Sequence, residues 1–421
     1  MDKSRVPSLK RPWLRITFLA ILVVLAVVVL AIIISRFGLN EATPDWSIDY
    51  LAYWGAARLL ITGGNPYDAA ELLSLQAAAG FDEARPIMLL NPPWTLALML
   101  PFAYLPFGIS KWLWLFTNIV IVGCCGIALW RYYKLPVRLT WLGPVLSILS
   151  FPTLWGFSLG QSQAWLLFGI TGFLLVQHAR RDLLAGVALA LLFIKPHIAY
   201  FFLICVFGWA LYERRWRVLF GSGLVLLIAC LLVLCISPAV YAQYIRYIPG
   251  MPYSIRSATF SGLLNYVLGT NHPWIQYLPV MTALVASTIL IIRRRVANIS
   301  TNHVDVKNSC RSTWNWYRIA PWVLLVSALT APYGWTCDKI ILLPVIYAFL
   351  ANWHEVPRWQ IAITVIAYCG AQAVMYAVPH NTNGSDALNY FYPVLLTLLY
   401  AWQQIVLHRR SLKDGELIHA H

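Results

Sequence analysis

Charge is what this sequence has least of. Of 421 residues, 11% are Asp, Glu, Lys or Arg and 60% are hydrophobic, whereas a soluble domain carries about 25% charged residues. The shortage excludes a water-soluble globule of this size and leaves lipid as the solvent for most of the chain, in keeping with a mean hydropathy of +0.67. Strict apolar–polar alternation is also missing, which excludes a membrane β-barrel. With no water to satisfy the backbone, helices remain. There is no glycine-rich phosphate loop following a strand, so the sequence offers no nucleotide site of that kind. Metal spacing is absent too, with no paired-Asp motif in an outer loop. The cysteines form no disulfide framework: Cys124, Cys125, Cys205, Cys230, Cys235 and Cys369 sit in apolar runs, where cysteine acts as a small hydrophobe, and Cys310 and Cys337 fall near run ends on opposite faces.

What the chain has instead is long apolar runs. Between Arg15 and Arg36 lie 20 uncharged residues, the length that crosses a bilayer. This core is too long for a cleaved signal peptide and reads as an anchor. Further charge-poor runs occupy 111–130, 139–156, 163–177, 218–237, 276–292, 319–337, 340–353, 359–379 and 387–408. The fold class is therefore all-α and polytopic, with about 12 crossings expected in one domain spanning the chain. The net charge of +15 is no nucleic-acid signal, because the basic residues gather at run ends: Lys3, Arg5, Lys10, Arg11 and Arg15; Arg214, Arg215 and Arg217; Arg293, Arg294 and Arg295; Arg409, Arg410 and Lys413. Short basic loops mark the cytoplasmic side. Both termini are expected there, with 36–88, 238–275, 332–339 and 379–386 outside. Residues 91–106 either span or form a re-entrant or surface segment. The second alternative keeps Arg131, Lys134, Arg180 and Arg181 inside, and 183–212 then turns back at Lys195-Pro196-His197.

The first outer loop concentrates the scarce acid. Seven of the sixteen acidic residues, Glu41, Asp45, Asp49, Asp68, Glu71, Asp82 and Glu83, fall between 36 and 88. Its local structure is legible. "PDWS" starts a helix, with Ser47 or Asp45 as cap, that runs to Ile61 and stops at Gly63-Gly64. Asp68 and Glu71 predict a capping box for a second helix, 69–79, ended by Gly80. The aromatics Trp46, Tyr50, Tyr53 and Trp54 suit two short amphipathic helices at the membrane surface. Asp45, Asp68 and Glu71 serve solvation and capping. Asp49 differs: it lies in the first turn of an aromatic helix with Tyr53 one turn along the same face. At the edge of a low-dielectric region its proton affinity rises, as a general base requires.

"DYLAYWGAARLLITGGNPYD" resembles the first-outer-loop signature of the family 87 glycosyltransferases. "NPPWTLALMLPFAYLP" (91–106) is similar to the segment that follows it, and "LGQSQAWLLFGITGFLLVQHARRDLLAGVALALLFIKPH" (159–197) to the Gly-Gln and Lys-Pro region. "TAPYGWTCDKIILLP" (330–344) resembles a late Pro-aromatic-Trp-x-x-Asp motif; the loop with "SATFSGLLNYVLG" is a looser likeness. The resemblance implies an integral membrane enzyme of GT-C fold that takes sugars, typically mannose, from polyprenyl phosphate. It implies Asp49 as catalytic base, Lys195 and His197 at the lipid phosphate and Asp338 in substrate positioning, with Gln161 in the matching Gly-Gln. Some members carry His where this chain has Tyr333, which bears on the exact donor or mechanism.

The residues make chemical sense beside the family. Transfer from a lipid phosphate to a hydroxyl needs a base for the acceptor proton and cations for the developing phosphate charge. Asp49 supplies the first, with Tyr53 on its face. Lys195, interrupting an apolar run, is a functional candidate by default, though a lysine at a helix end can also snorkel to the interface. Arg58, on the Asp49 helix, and Arg246 and Arg256, in the second outer loop, are further outer cations. The expected partners are a polyprenyl-phosphate sugar, a lipid or glycan acceptor and membrane lipids, with no cofactor, metal or nucleic acid. The family's usual hosts imply a bacterial inner membrane with the site on its outer face. A secondary transporter is the alternative, since broken helices and intramembrane charge mark transporters as well. A non-catalytic scaffold gives Asp49, Lys195 and Asp338 no reason to line up with outer-face chemistry.

Overall fold

A computed structural model describes residues 47–81, 83–250, 257–270, 272–301, 314–377 and 385–419. The first apolar run, the basic N-terminal cluster, Asp45 and Arg256 lie outside them. All described residues belong to one compact unit, Ser47–His421. It is all-helical, with no strand among the described residues.

The helices in chain order are α1 (Ile48–Thr62), α2 (Ala69–Ala78), α3 (Leu96–Ala103), α4 (Phe107–Tyr132), α5 (Leu142–Ile148), α6 (Phe151–Leu159), α7 (Gln163–His178), α8 (Asp182–Ala190) and α9 (Tyr200–Tyr212). They continue as α10 (Trp216–Ile236), α11 (Val240–Tyr247), α12 (Phe260–Val267), α13 (Leu278–Thr301), α14 (Trp316–Thr330), α15 (Leu343–Ala351), α16 (Arg358–Ala377) and α17 (Phe391–His419). Four stretches among the described residues are long and apolar enough to cross a bilayer: α4, α10, α16 and Asp386–Leu412. α5 and α6, bent by 60° to one another, make a fifth when counted as one span. The bend falls at Ser150-Phe151-Pro152, where Pro152 opens α6 and has no N–H with which to continue α5. Along α4 and α10 large apolar side chains stand exposed, Phe116 at 64% and Phe220 at 63% among them, as lipid-facing helices require. These helices mark an integral membrane protein.

Residues 91–106 form a 3₁₀ turn, Pro93–Thr95, and the eight-residue α3, which contains Pro101. Eight residues extend about 12 Å, less than half of a bilayer core of about 30 Å, so α3 cannot cross alone. The run 183–212 is broken where expected: α8 continues as a 3₁₀ turn to Ile194, and α9 starts only at Tyr200. Small residues bring helices close. A Cβ on Gly186 of α8 would overlap the Val218 carbonyl of α10, and one on Gly221 of α10 the Leu183 carbonyl of α8, so this crossing depends on both glycines.

Residues 47–81 keep the two predicted helices, but α1 sits deeper in the protein than expected. α1 is buried around most of its circumference, from Tyr50 to Leu60, rather than lying on the membrane surface. Tyr50 stacks on Trp114 and Phe107, and the Trp54 indole donates to the Leu105 carbonyl at 3.0 Å. Aromatic residues fit a protein core as well as an interface; here the core takes them. Ser47 precedes α1 in a left-handed conformation and makes no side-chain cap. Its backbone N–H donates instead to the Ser158 carbonyl at 2.6 Å, fixing the start of α1 against the end of α6. For α2, Asp68 Oδ1 accepts from the N–H groups of Ala70 and Glu71, both at 2.9 Å. Half of the capping box is therefore present. Glu71 does not return to Asp68; its Oε2 accepts from the Asn65 N–H at 2.9 Å.

Candidate active site

The first turn of α1, the α6–α7 junction, the α8–α9 break and the 3₁₀ helix Thr336–Leu342 converge on one chain of hydrogen bonds. Asp49 Oδ2 accepts from Gln161 Nε2 at 2.6 Å. Gln161 Oε1 accepts from the Tyr53 hydroxyl at 2.9 Å and from Lys195 Nζ at 2.7 Å. Lys195 Nζ donates also to Asp338 Oδ1 at 2.9 Å. Asp338 Oδ2 accepts from the Trp335 N–H at 2.9 Å, which caps its own helix. Sequence separations of 112, 34 and 143 residues meet within these contacts.

Each link is held by local structure. Gly160 ends α6 at φ +71°, a conformation natural to glycine, and its carbonyl accepts from the Trp114 indole at 2.8 Å. A Cβ there would lie 2.5 Å from the Tyr50 Cβ. The junction thus brings Gln161 against α1. Lys195 follows a 3₁₀ turn whose last carbonyls are tied down from outside: Asn91 Nδ2 donates to Ile194 O at 2.8 Å and the Trp94 indole to Phe193 O at 2.9 Å. The "NPPW" segment is thereby a brace for the Lys195 backbone, a role that reading the sequence did not find. Gly334 stands beside Ile198, Asp338 and Thr259, so the start of α12 packs on the segment bearing Asp338.

Exposure separates the two carboxylates. Asp338 is 1% exposed, Lys195 6%, Gln161 6% and Tyr53 6%, while Asp49 is half-buried. Both Asp338 oxygens are engaged. Asp49 has one held oxygen, and Oδ1 makes no hydrogen bond to any described residue. Their proton affinities move in opposite directions. Burial raises Asp49 above the ordinary 3.8, against the lowering effect of the Gln161 bond and the Lys195 charge, and with a further rise from Asp338. Burial acts on Asp338 too, but the Lys195 charge, its hydrogen bond and the Trp335 N–H pull it below 3.8. A raised and a lowered carboxyl in one site is the pattern of a proton acceptor beside a permanent anion.

The other predicted residues divide. His197 is half-buried with its ring 5.8 Å from that of Tyr333, so it belongs to the same region. Arg58 does not join the chain: its guanidinium donates to the Ala103 carbonyl at 3.0 Å, at the end of α3, and so ties α1 to α3. Arg256 lies outside the described residues. Lys195 spends two of its three N–H groups on Gln161 and Asp338, leaving one for a further acceptor.

The sequence profile of glycosyltransferase family 87 matches residues 89–304, 216 of 421 residues and so just over half the chain. The chain belongs to glycosyltransferase family 87. The match takes in the 91–106 and 159–197 stretches, and with them Gln161, Lys195 and His197; Asp49 and Asp338 fall outside it and enter the site through the hydrogen bonds above. No curated protein and no solved structure matches the chain.

Proposed function

We propose that this glycosyltransferase moves a sugar, mannose being the family's typical one, from polyprenyl phosphate to a hydroxyl of a lipid or glycan acceptor, on the outer face of a bacterial inner membrane and with inversion at the anomeric carbon. The observation that carries the proposal is Asp49: a carboxylate with raised proton affinity, one oxygen fixed by Gln161 and the other making no hydrogen bond to a described residue. The acceptor hydroxyl gives its proton to Asp49 Oδ1 as its oxygen attacks the anomeric carbon. The bond from that carbon to the phosphate oxygen breaks, and its electron pair leaves with the lipid phosphate as a monoester. The remaining N–H of Lys195 meets the developing phosphate charge, with His197 beside it. Asp49 then returns its proton to water. Asp338 keeps Lys195 charged and placed, which is a positioning role.

The same reading makes the chain a single domain of GT-C architecture with about 12 crossings and both termini cytoplasmic. Its support is the family and the succession of apolar runs. The test is incubation of the purified chain with radiolabelled polyprenyl-phosphate mannose and a membrane lipid extract. Label is expected in a new glycolipid or glycan. Label that stays in the donor, while proteoliposomes carrying the chain move solute, would overturn the reading in favour of a transporter.

A further inference from the structure

Gln161 is placed to do more than line a substrate site. A side-chain amide has one accepting end and one donating end. At Gln161 the accepting end takes the Lys195 ammonium, which can only be met by an acceptor, and the O–H of Tyr53. The donating end faces the Asp49 carboxylate at 2.6 Å. Turning the amide over would set its NH₂ against the ammonium and its oxygen against the carboxylate, two repulsive contacts in place of two attractive ones. Chemistry therefore fixes the orientation. Gln161 is 6% exposed, and the backbone on either side is held, by the Gly160 turn and by the Gln161 N–H donating to Gly156 O at 2.9 Å.

We propose that Gln161 is a positioning residue for the base: locked by Lys195 and Tyr53, it clamps Asp49 Oδ2, leaves Oδ1 as the proton-accepting atom, and couples Asp49 to the Lys195–Asp338 ion pair. This rests on the reading of Asp49 as base for its effect on catalysis, but not for its effect on Asp49 itself. Among the described residues, the titratable groups facing Asp49 are Lys195, Asp338, Tyr53, Tyr333 and Cys337. Of these, only Lys195 favours the ionised carboxylate, and Gln161 is the link through which its hydrogen bonding reaches Asp49.

Gln161→Glu keeps the length and both acceptances from Lys195 and Tyr53 but presents an oxygen to Asp49. Gln161→Met keeps the length and removes the donor. Both variants disfavour ionised Asp49, so its titration shifts to higher pH, by at least about one unit for Gln161→Glu, where two carboxyl groups share a proton. Tyr53→Phe removes one of the two locks and shifts it in the same direction by less. The readout independent of turnover is an infrared titration of the full-length protein in detergent. The carboxylic-acid band of Asp49 is identified by its loss in Asp49→Asn, and its midpoint is followed in each variant. In the transfer assay, kcat for Gln161→Met falls about ten- to a hundredfold, as expected for losing a hydrogen bond to a charged group, with donor KM little changed.

An unmoved infrared midpoint in both Gln161 variants overturns the coupling, whatever their activity. A shifted midpoint, with transfer surviving in Asp49→Asn, leaves Gln161 as the setter of Asp49 and overturns the base assignment instead. If Gln161→Met fails to fold, Gln161→Glu and Tyr53→Phe decide the same question, since each retains nearly the packing volume of the native side chain.

Discussion

Asp49 and Asp338 stand at opposite ends of one hydrogen-bond chain, and the contrast between them explains the site. Asp338 is 1% exposed with both oxygens bonded, one of them to a lysine. Asp49 is half-buried, with one oxygen bonded through an amide and the lysine one link away. The same functional group is an anchor at one end and, on the proposed mechanism, the proton acceptor at the other. The difference lies in where the positive charge sits. A directly paired carboxylate gives up its basicity to its partner; one that receives the charge at second hand keeps it.

Removing the carboxylate at the reactive end gives the largest effect. Asp49→Asn keeps volume and one acceptor oxygen but cannot take a proton, so transfer from labelled polyprenyl-phosphate mannose drops by about 10²–10⁴-fold. Donor binding, measured by retention of the label in a filter assay, survives, because the phosphate meets cations. Removing the anchor acts on the fold instead. Asp338→Ala leaves the Lys195 ammonium buried and unpaired, which destabilises by about 3–5 kcal/mol, read as a fall in thermal midpoint in detergent. Together these two variants break the comparison if Asp338→Ala melts like the native protein, or if Asp49→Asn turns over.

Smaller effects sharpen it. Gly160→Ala places a Cβ 2.5 Å from that of Tyr50 on a backbone at φ +71°, at a cost of about 1–3 kcal/mol; a matching loss of transfer shows that the Gly160 turn sets Gln161. Asp68→Ala removes a cap remote from the chain and costs about 1 kcal/mol of stability. Transfer by that variant at a temperature well below its thermal midpoint is expected to stay near native, which separates the capping Asp68 from the proposed base Asp49.

Much of the outer loop was readable residue by residue. The glycines ending α1 and α2, and Asp68 capping α2, are local signals, and local signals survive folding. The burial of α1 was not readable, because Tyr50, Tyr53 and Trp54 satisfy a membrane interface and a protein core equally well. The apolar runs marked helices but not their lengths: 139–156 is cut by Pro152, and 319–337 ends as helix at Thr330, ahead of Ala331-Pro332. Asp49, Lys195 and Asp338 were brought under suspicion by family resemblance and by their charge in an apolar sequence. The matching Gly-Gln pointed to Gln161 as well, but that it links Asp49 to Lys195, and that Asn91 and Trp94 brace Lys195, depends on contacts between distant residues, and nothing in a single stretch announces such a pairing. Arg58, a cation expected at the phosphate, donates to the carbonyl of Ala103 at the end of α3.

The division of labour between the two carboxylates is tested most directly by the pH dependence of kcat/KM, which reports the proton affinity of the base in the free enzyme. On the proposed mechanism Asp49 acts when ionised, and its folded value is raised, so the rate falls as pH drops through that raised value. The native protein is expected to show an acid limb above the ordinary carboxylate value of 3.8, absent from the residual activity of Asp49→Asn and still present in Asp338→Asn. An acid limb that survives in Asp49→Asn and vanishes in Asp338→Asn would contradict it, and would make Asp338 the base.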